Sequence, residues 1–336
     1  MTPAREFLLM RLARFCGAGL LLLAPLSPLW AADSAKEARA LLEKMAQATR
    51  TLNYDGTFVY MHEGRLMTLR ILHGADAKGE RERLISLSGV PREVMRDERA
   101  STCILSDNRK VVGNVHARRP YSGALTIDVD RLANYYDFTL SGEDRIANRP
   151  AHRVAIKPRD TYRYGYQLGV DSATGLLLKS DLINEEGKPV EQVMFTSLAV
   201  TDGPPAALQE PCEAERTARH HKRREEMAPP MSVDASWQVA QLPEGFVLAE
   251  HEKHAMRSRA APVEHIIFSD GLARVSVFIE KLEEDDKFLG FSHRGAVNAF
   301  GAVVDDHQIT VVGEVPRATV QLIGESIRHT APVARP

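Results

Sequence analysis

The chain has 336 residues, of which 44% are hydrophobic and 26% are charged, and its formal net charge is -2 at pH 7. This length allows two domains, because single hydrophobic cores stop growing at roughly 250–300 residues. The small net charge argues against a nucleic-acid surface, and beyond the N-terminus no run approaches the roughly 18 apolar residues of a membrane-spanning helix.

Residues 1–32 have the pattern of a secretory signal peptide. Three arginines precede an apolar stretch over residues 18–29, and the small residues Ala31 and Ala32 then offer a cleavage site. A membrane anchor is the alternative, but the apolar stretch is short and contains prolines. We therefore predict an exported protein that is cleaved near Ala32.

Cleavage there leaves two cysteines, Cys103 and Cys212. Two cysteines in an exported chain can form a persistent disulfide, since the compartment is oxidising. The loop that this bond closes would stabilise the folded state by about 4.7 kcal/mol in the chain-entropy model. The alternative is a pair of buried or free thiols, and we predict the disulfide.

The first folded region is predicted over residues 33–200. Ser34 and Glu37 form a capping box at the start of an amphipathic helix. Short apolar runs then alternate with turn residues as far as Ala199, with a short helix near 128–136. Short connections join antiparallel neighbours, so the pattern predicts one large antiparallel sheet. Strong curvature of such a sheet would leave a concave apolar interior that suits an acyl chain.

A linker and a second, smaller region complete the chain. Residues 201–236 contain two Pro-Pro pairs and a charged run, which are typical of a linker. In residues 237–330, Asp270-Gly271 between apolar runs predicts a β-hairpin, and Pro316 suits the first turn of a closing helix. The second region is therefore predicted to be a small α+β domain.

Most motifs for catalysis and cofactors are missing from the sequence. There is no G-x-S-x-G elbow, G-x-G-x-x-G, Walker loop, C-x-x-C or EF-hand loop. The segment from His251 to His254 approaches the zinc motif H-E-x-x-H, but its second histidine comes one residue early. Ser292 and His293 are adjacent in sequence, and such neighbours rarely face each other productively. We therefore predict a non-enzymatic protein without a metal or a cofactor.

Two segments carry residues that suit binding. A basic cluster with Arg159 and Arg163 is interleaved with tyrosines, which could meet lipid phosphates or an acidic peptide. The alternative is a solvated hairpin face on which the arginines pair with nearby aspartates. The second segment, residues 274–279, alternates in polarity. It is interpreted as a core strand, with an edge strand that accepts a partner strand as the alternative.

Seven segments follow one another in an order and spacing that match a known family. They are GTFVY at 56–60, RIANRPA at 145–151, PRD to YG at 158–165, TGLLLKS at 174–180, LPEGF at 242–246, DGLARVSVFIE at 270–280 and VVGEVP at 311–316. Together they span most of the mature chain, although none is diagnostic alone. The chain thus resembles the RseB/MucB family of periplasmic negative regulators of an extracytoplasmic-stress sigma factor.

The resemblance implies an α+β fold in two parts. The first is an open antiparallel half-barrel that resembles the lipoprotein-carrier (LolA-like) fold, and the second is a small C-terminal partner-binding domain. It also implies a periplasmic protein that binds the periplasmic part of a membrane-spanning anti-sigma factor and protects it from regulated proteolysis. Lipopolysaccharide or another acyl lipid would release it. The oligomeric state stays open, a homo-oligomer included.

Candidate site residues follow from these expectations. Lipid-binding candidates lie on the first hairpin: Phe58, Tyr60, Leu69 and Ile71. Their facing is not fixed by the sequence, since a one-residue slip in register inverts every side chain. Arg274 and Phe278 are carried over as partner contacts. The runner-up function is a periplasmic lipid or lipoprotein carrier, which would need only the first domain, and a hydrolase would need a nucleophile and base that the sequence does not reveal.

Overall fold

The computed structural model describes residues 27–77, 79–90, 92–97, 101–104, 110–113, 128–210, 236–254, 261–282 and 287–330. Within these ranges the chain forms two large antiparallel sheets and a two-stranded ribbon. Both large sheets are open, because the first and last strands of each are edge strands that do not pair with each other. The predicted α+β class with open antiparallel sheets is confirmed.

The first sheet has eleven strands in the described residues. In chain order they are β1 (Asn53–His62), β2 (Arg65–Asp76), β3 (Gly79–Ser86), β4 (Glu93–Arg96), β5 (Ser101–Ile104), β6 (Lys110–Gly113), β7 (Tyr136–Ile146), β8 (Arg149–Pro158), β9 (Gly165–Asp171), β10 (Leu177–Ile183) and β11 (Pro189–Thr201). Their spatial order is β6-β5-β4-β3-β2-β1-β11-β10-β9-β8-β7. Among the strands that the structure describes, only the β1–β11 pairing joins strands that are distant in sequence, so this sheet consists of two meanders that meet where β1 pairs with β11.

Tight turns at these hairpins follow the local sequence. Glu63 and Gly64 both have positive φ between β1 and β2, and Ala147 and Asn148 do so between β7 and β8. Two such residues form a turn that matches the right-handed twist of the flanking strands. The predicted hairpin from Phe58 to Leu72 is therefore present, and its strands run longer than the apolar pattern indicates.

Helix α1 (Ser27–Thr51) packs on one face of this sheet. We call this the inner face. The helix starts before Ser34, so the predicted capping box is not the helix start in this chain. The Ser34 Oγ accepts a hydrogen bond from the backbone N–H of Leu140 at 3.0 Å. The residues before Ser34 include Leu29, Ala31 and Ala32, which favour helix, and Pro28 lies in the first turn, where proline is tolerated.

A short helix, α2 (Val129–Leu132), was predicted near its observed place. The Asp128 side chain caps it by accepting from the backbone N–H of Arg131 at 3.0 Å. The core beneath α1 and α2 contains apolar residues of the two helices and of strands β7, β8 and β9: Ala38, Leu42, Met45, Leu132, Tyr136, Phe138, Val154, Ile156, Leu168 and Val170.

The second sheet has six strands in the described residues. They are β13 (Val247–His254), β14 (Val263–Ser269), β15 (Arg274–Lys281), β16 (Gly290–Arg294), β17 (Val297–Val304) and β18 (His307–Gly313), in the order β13-β14-β15-β18-β17-β16. A ribbon pairs β12 (Trp237–Val239) with β19 (Ile327–His329). Helix α3 (Arg317–Ser326), which follows Pro316, buries Val320 and Ile323 against this sheet.

Residues 204–210, inside the predicted linker, lie against the outer face of β2 and β3. A 3-10 turn (Ala206–Leu208) places Leu208 and Pro204 where a Cβ on Gly74 would meet both at 2.8 Å. Arg83 donates to the carbonyl of Ala207 at 2.6 Å. In the part of the chain that the structure describes, no helix has the length and apolar character needed to cross a membrane.

Candidate functional site

The inner face of β1 and β2 brings the four lipid-binding candidates together. Phe58 pairs with Leu69 across the two strands, and Ile71 lies opposite Gly56, two positions along the same face. Tyr60 follows Phe58 by two residues, so it also points inward. The register therefore places all four side chains on the inner face, where a curved sheet would hold an acyl chain.

Burial divides these four residues into two pairs. Phe58 and Ile71 are buried in a core with Phe195, whose ring meets that of Phe58 edge-on at 5.8 Å. Tyr60 and Leu69 are only partly buried and line the accessible end of this face. We call the strip with Tyr60 and Leu69 the groove.

An exposed apolar side chain stands next to the groove. Met67 lies opposite Tyr60 on the inner face and is 38% exposed. An exposed apolar side chain that continues a partly open apolar face is typical of a ligand or partner site. Sequence reasoning missed Met67 because the register that places it beside Tyr60 is not visible in the chain.

The predicted basic cluster is not a single surface. Arg159 is exposed and pairs with Asp137 through hydrogen bonds of 2.8 and 2.9 Å. Arg163 is buried between the two large sheets, with its Nη2 donating to the carbonyl of Glu244 at 2.5 Å. The structure therefore separates the two arginines, because the segment before β9 turns Arg163 inward, and a role of the basic cluster in binding stays a prediction.

Arg163 meets Asp270 at the centre of a contact between the sheets. The Asp270 carboxylate is fully buried in the β14–β15 turn, 3.4 Å from Nε of Arg163. It accepts from the Tyr136 hydroxyl at 2.9 Å and from the backbone N–H groups of Leu272 and Ala273 at 2.8 and 2.7 Å. We call these residues the Asp270 contact.

Aromatic and apolar groups complete the Asp270 contact. The Arg163 guanidinium lies 5.0–5.5 Å from the ring centroids of Tyr135, Tyr136 and Phe246, within the range of cation–π attraction. Leu272 of the second sheet enters the core of the first. Burial, and then the Asp270 charge, raise the pKa of Tyr136 well above its usual value, so this phenol stays a hydrogen-bond donor.

A second set of hydrogen bonds links the sheets near Tyr164. Asn298 of β17 donates to the Tyr164 hydroxyl at 3.0 Å, and Thr319 of α3 donates to the carbonyl of Tyr162 at 2.5 Å. Burial raises the pKa of Tyr164 to about 12. The two sheets are therefore joined by specific contacts between residues that are more than a hundred positions apart.

The candidate partner residues Arg274 and Phe278 share the solvent-facing side of β15. Arg274 donates to Glu250 at 2.7 Å, and Phe278 stacks on His265 with centroids 4.3 Å apart. Burial, followed by the nearby charge of His254, lowers the pKa of His265. Strand β15 lies between β14 and β18, so the core-strand interpretation is confirmed and the edge-strand alternative is wrong.

The weak catalytic motifs gain no support from the geometry. His251 and His254 lie on strand β13, where His251 contacts Glu264 at 2.6 Å and His254 contacts Glu252 at 2.8 Å. Ser292 and His293 are consecutive residues of β16, and consecutive strand residues point to opposite faces. Among the described residues, no three His, Cys, Asp or Glu side chains are placed to hold a metal ion.

The predicted disulfide is not addressed by these contacts. The backbone of Cys103 belongs to β5, but its side chain and the whole of Cys212 lie outside the described residues. The Cys103–Cys212 pair therefore stays a prediction.

Comparison with known proteins gives this architecture a class, a two-domain α+β protein of the MucB/RseB type. The family model for the MucB/RseB N-terminal domain matches residues 37–222, and the model for the MucB/RseB C-terminal domain matches residues 231–328. The chain therefore belongs to the MucB/RseB family.

Individual relatives extend over nearly the whole chain. The sigma factor AlgU regulatory protein MucB of Pseudomonas aeruginosa is 36% identical over 318 residues, which cover 89% of this chain and 93% of MucB. The sigma-E factor regulatory protein RseB of Escherichia coli K12 is 26% identical and covers 87% and 91%. These relatives are named as regulatory proteins rather than as enzymes.

A solved structure of the Pseudomonas aeruginosa MucA/MucB complex is similar to this chain. The two share 34% sequence identity with a TM-score of 0.71, over 88% of this chain and 99% of the other. A structure of MucB in complex with MucA(peri) matches at 33% identity with a TM-score of 0.68, over 88% and 99%.

Proposed function

We propose that this chain is a periplasmic regulator of an extracytoplasmic-stress sigma factor. It binds the periplasmic part of a membrane-spanning anti-sigma factor and protects that segment from regulated proteolysis. Lipopolysaccharide or a related acyl lipid binds the groove and releases the anti-sigma factor. Export with cleavage near Ala32, and the division into domains at 33–200 and 237–330 with a linker at 201–236, belong to this proposal.

One observation carries the proposal. The similarity to MucB covers both sheets and nearly the full length of MucB, and a similar structure contains MucB together with MucA. A lipid carrier of the first-domain type would need only the eleven-stranded sheet. The presence of the second sheet, joined to the first through the Asp270 contact, therefore favours the regulator over the carrier.

The lipid step is supported by the chemistry of the groove. Tyr60 and Leu69 are partly accessible on the inner face, and the exposed side chain of Met67 stands beside them. Burial of an acyl chain gains about 0.8 kcal/mol per methylene. Seven buried methylenes would supply about 5.5 kcal/mol, which is enough to reverse a two-state population from 1:99 to 99:1.

The test is a binding measurement on the mature protein, residues 33–336. Its affinity for the periplasmic segment of the anti-sigma factor from the same organism is measured by calorimetry with and without lipopolysaccharide. We expect binding that lipopolysaccharide reverses, and slower cleavage of the bound segment by its protease. Lipid binding without affinity for the segment would instead establish the carrier function.

A matched pair of variants locates the lipid. Leu69→Glu places a charge on the inner face and is expected to weaken lipopolysaccharide binding at least about tenfold, because burying an unpaired carboxylate beside an acyl chain is unfavourable. Thr68→Glu places the same charge one residue away on the outer face and is expected to have no effect. Equal effects of the two substitutions would remove the groove from the proposal.

Partner contact is tested at the second sheet. Phe278→Ala and Arg274→Ala are expected to weaken binding of the anti-sigma segment, while leaving lipopolysaccharide binding unchanged. Arg159→Ala, which removes an exposed arginine from the other sheet, is the control. Unchanged affinity in both β15 variants would exclude this face as the partner site.

A further inference from the structure

The turn between β16 and β17 leaves its own sheet and rests on the inner face of the eleven-stranded sheet. Gly295 has φ +58, and a Cβ there would lie 2.8 Å from Cε1 of His62 and 2.9 Å from Cγ of Glu63. Ala296 is fully buried in an apolar cluster with Tyr164 and Leu182. We call Arg294, Gly295 and Ala296 the plug.

The plug sits at the open end of the groove. His62 follows Tyr60 by two residues on the inner face, and their rings stack with centroids 5.9 Å apart. Across the sheet, Tyr60 pairs with Val193 and His62 pairs with Glu191. The plug therefore lies one inward-facing position beyond the last groove residue of β1.

Ionisable groups dominate the seat of the plug. The Arg294 Nε lies 2.8 Å from a Glu63 carboxylate oxygen, and the His62 ring lies 3.6 Å from both Glu63 and Glu191. The Arg294 Nε also donates a hydrogen bond to the other Glu63 oxygen at 3.0 Å, and the Arg294 side chain is 75% exposed.

Such a seat is easy to open. The ion pair at its centre is exposed on the arginine side, so salt screens it and water can replace its hydrogen bond when the contact separates. The buried apolar side chain of the plug is Ala296, which packs against Tyr164 and Leu182 and is small, so the plug itself loses little apolar burial when it leaves. The contact therefore has a low net stability, as expected of an element that moves in response to a ligand.

We propose that the plug closes the Tyr60 end of the groove and that an acyl chain which reaches this end displaces it. This inference rests on the proposed lipid site and specifies how lipid binding reaches the second sheet. Seating of the plug and full occupancy of the groove exclude each other, so each lowers the affinity for the other by the same factor. Lipid then frees the β16–β17 hairpin while the Asp270 contact still holds the sheets together.

The first test is lipopolysaccharide binding to plug variants of the mature protein. Gly295→Ala pushes a methyl group against His62 and Glu63, and Arg294→Ala removes the ion pair from a side chain that is 75% exposed. Gly295→Ala is expected to raise the affinity for lipopolysaccharide at least about fivefold, and Arg294→Ala, which removes only an exposed ion pair, is expected to raise it by about two- to fivefold. Gly187→Ala is the matched control, since Gly187 also has positive φ in a hairpin turn but a Cβ there meets nothing within 4 Å.

The second test is hydrogen exchange of the wild-type protein. Exchange of the backbone amides of residues 290–304 should become faster when lipopolysaccharide is added, and deacylated lipopolysaccharide should leave it unchanged. If lipopolysaccharide binds the wild type, but the two plug variants bind with unchanged affinity and exchange at 290–304 stays constant, the plug is overturned while the lipid site stands. If lipopolysaccharide does not bind the wild type, the lipid site and the plug fail together.

Discussion

Two of the contacts between the sheets use similar groups but differ in how deeply those groups are buried. In the Asp270 contact, both carboxylate oxygens of Asp270 accept hydrogen bonds, and aromatic rings surround Arg163. At the plug, Arg294 pairs with Glu63, but the Arg294 side chain is 75% exposed, whereas the side chains of Arg163 and Asp270 are fully buried. An exposed ion pair contributes little to stability, whereas removal of one partner from a buried pair is strongly destabilising. The first contact is therefore suited to hold the sheets together, and the second is suited to open.

The largest expected effect is at Asp270. Asp270→Ala leaves the Arg163 charge buried without its partner and removes the acceptor for two backbone N–H groups, so we expect the free energy of unfolding to fall by about 3–5 kcal/mol. Urea denaturation followed by tryptophan fluorescence measures this change. The control is Asp137→Ala, which breaks the exposed pair with Arg159 and should cost only about 0–1 kcal/mol. Similar losses in the two variants would show that Asp270 does not hold the sheets together.

Sequence predicted the turn at Asp270 but not its role. Asp270-Gly271 between two apolar runs indicates a hairpin through local geometry alone. Arg163 lies 107 positions earlier, among other basic residues, and nothing local distinguishes a buried arginine from its exposed neighbour Arg159. The contact depends on how the two sheets meet, which is a long-range property. In the sequence, the only signals of the Asp270 contact are an aspartate in a turn and an arginine between two tyrosines.

The groove shows the same division. The apolar residues of β1 and β2 and the tight turn between them predict a hairpin, and the hairpin is present. Which face they share depends on the β1–β11 pairing, and this joins strands about 140 residues apart. Strands β7 and β8 were not assigned, because their polar residues hide the alternation of Phe138, Leu140, Val154 and Ile156 on the inner face. The polar character of β7 fits its position at the edge of the sheet.

The next effect concerns apolar packing in the Asp270 contact. Leu272 belongs to the second sheet but is buried in the core of the first. Leu272→Ala is expected to lower the free energy of unfolding by about 2–3 kcal/mol, through lost burial and the cavity left behind. Ala296→Gly at the plug removes only one methyl group and should cost no more than about 1 kcal/mol. Equal losses at the two positions, measured by urea denaturation, would contradict the difference between the contacts.

Alkaline pH should weaken the links between the sheets. The folded-state pKa of Tyr164 is about 12, and that of Tyr136 is also raised above the ordinary value of 10.0, in both cases chiefly by burial. Raised pKa values favour the protonated phenol in the folded state. Their contribution is therefore complete below pH 10 and is lost as the pH rises through the folded-state pKa values. Denaturation midpoints measured from pH 8 to 12 should fall above pH 10. In Tyr136→Phe the fall should be shallower, and an identical pH profile would assign the effect to other groups.

The smallest effect on stability is expected for substitutions at the plug, and of the two contacts it is the plug whose substitutions are expected to have the larger effect on lipopolysaccharide binding. The Arg294 side chain is 75% exposed, so Arg294→Ala should change the free energy of unfolding by only about 0–1 kcal/mol, and less at high salt. Urea denaturation at low and high salt measures both quantities. A fall in the free energy of unfolding above about 2 kcal/mol would mean that the plug holds the sheets together as the Asp270 contact does. Binding of an acyl chain would then not suffice to displace it. A loss of no more than about 1 kcal/mol, matched by a rise of up to about fivefold in lipopolysaccharide affinity, would separate the two contacts into one that holds the sheets and one that opens.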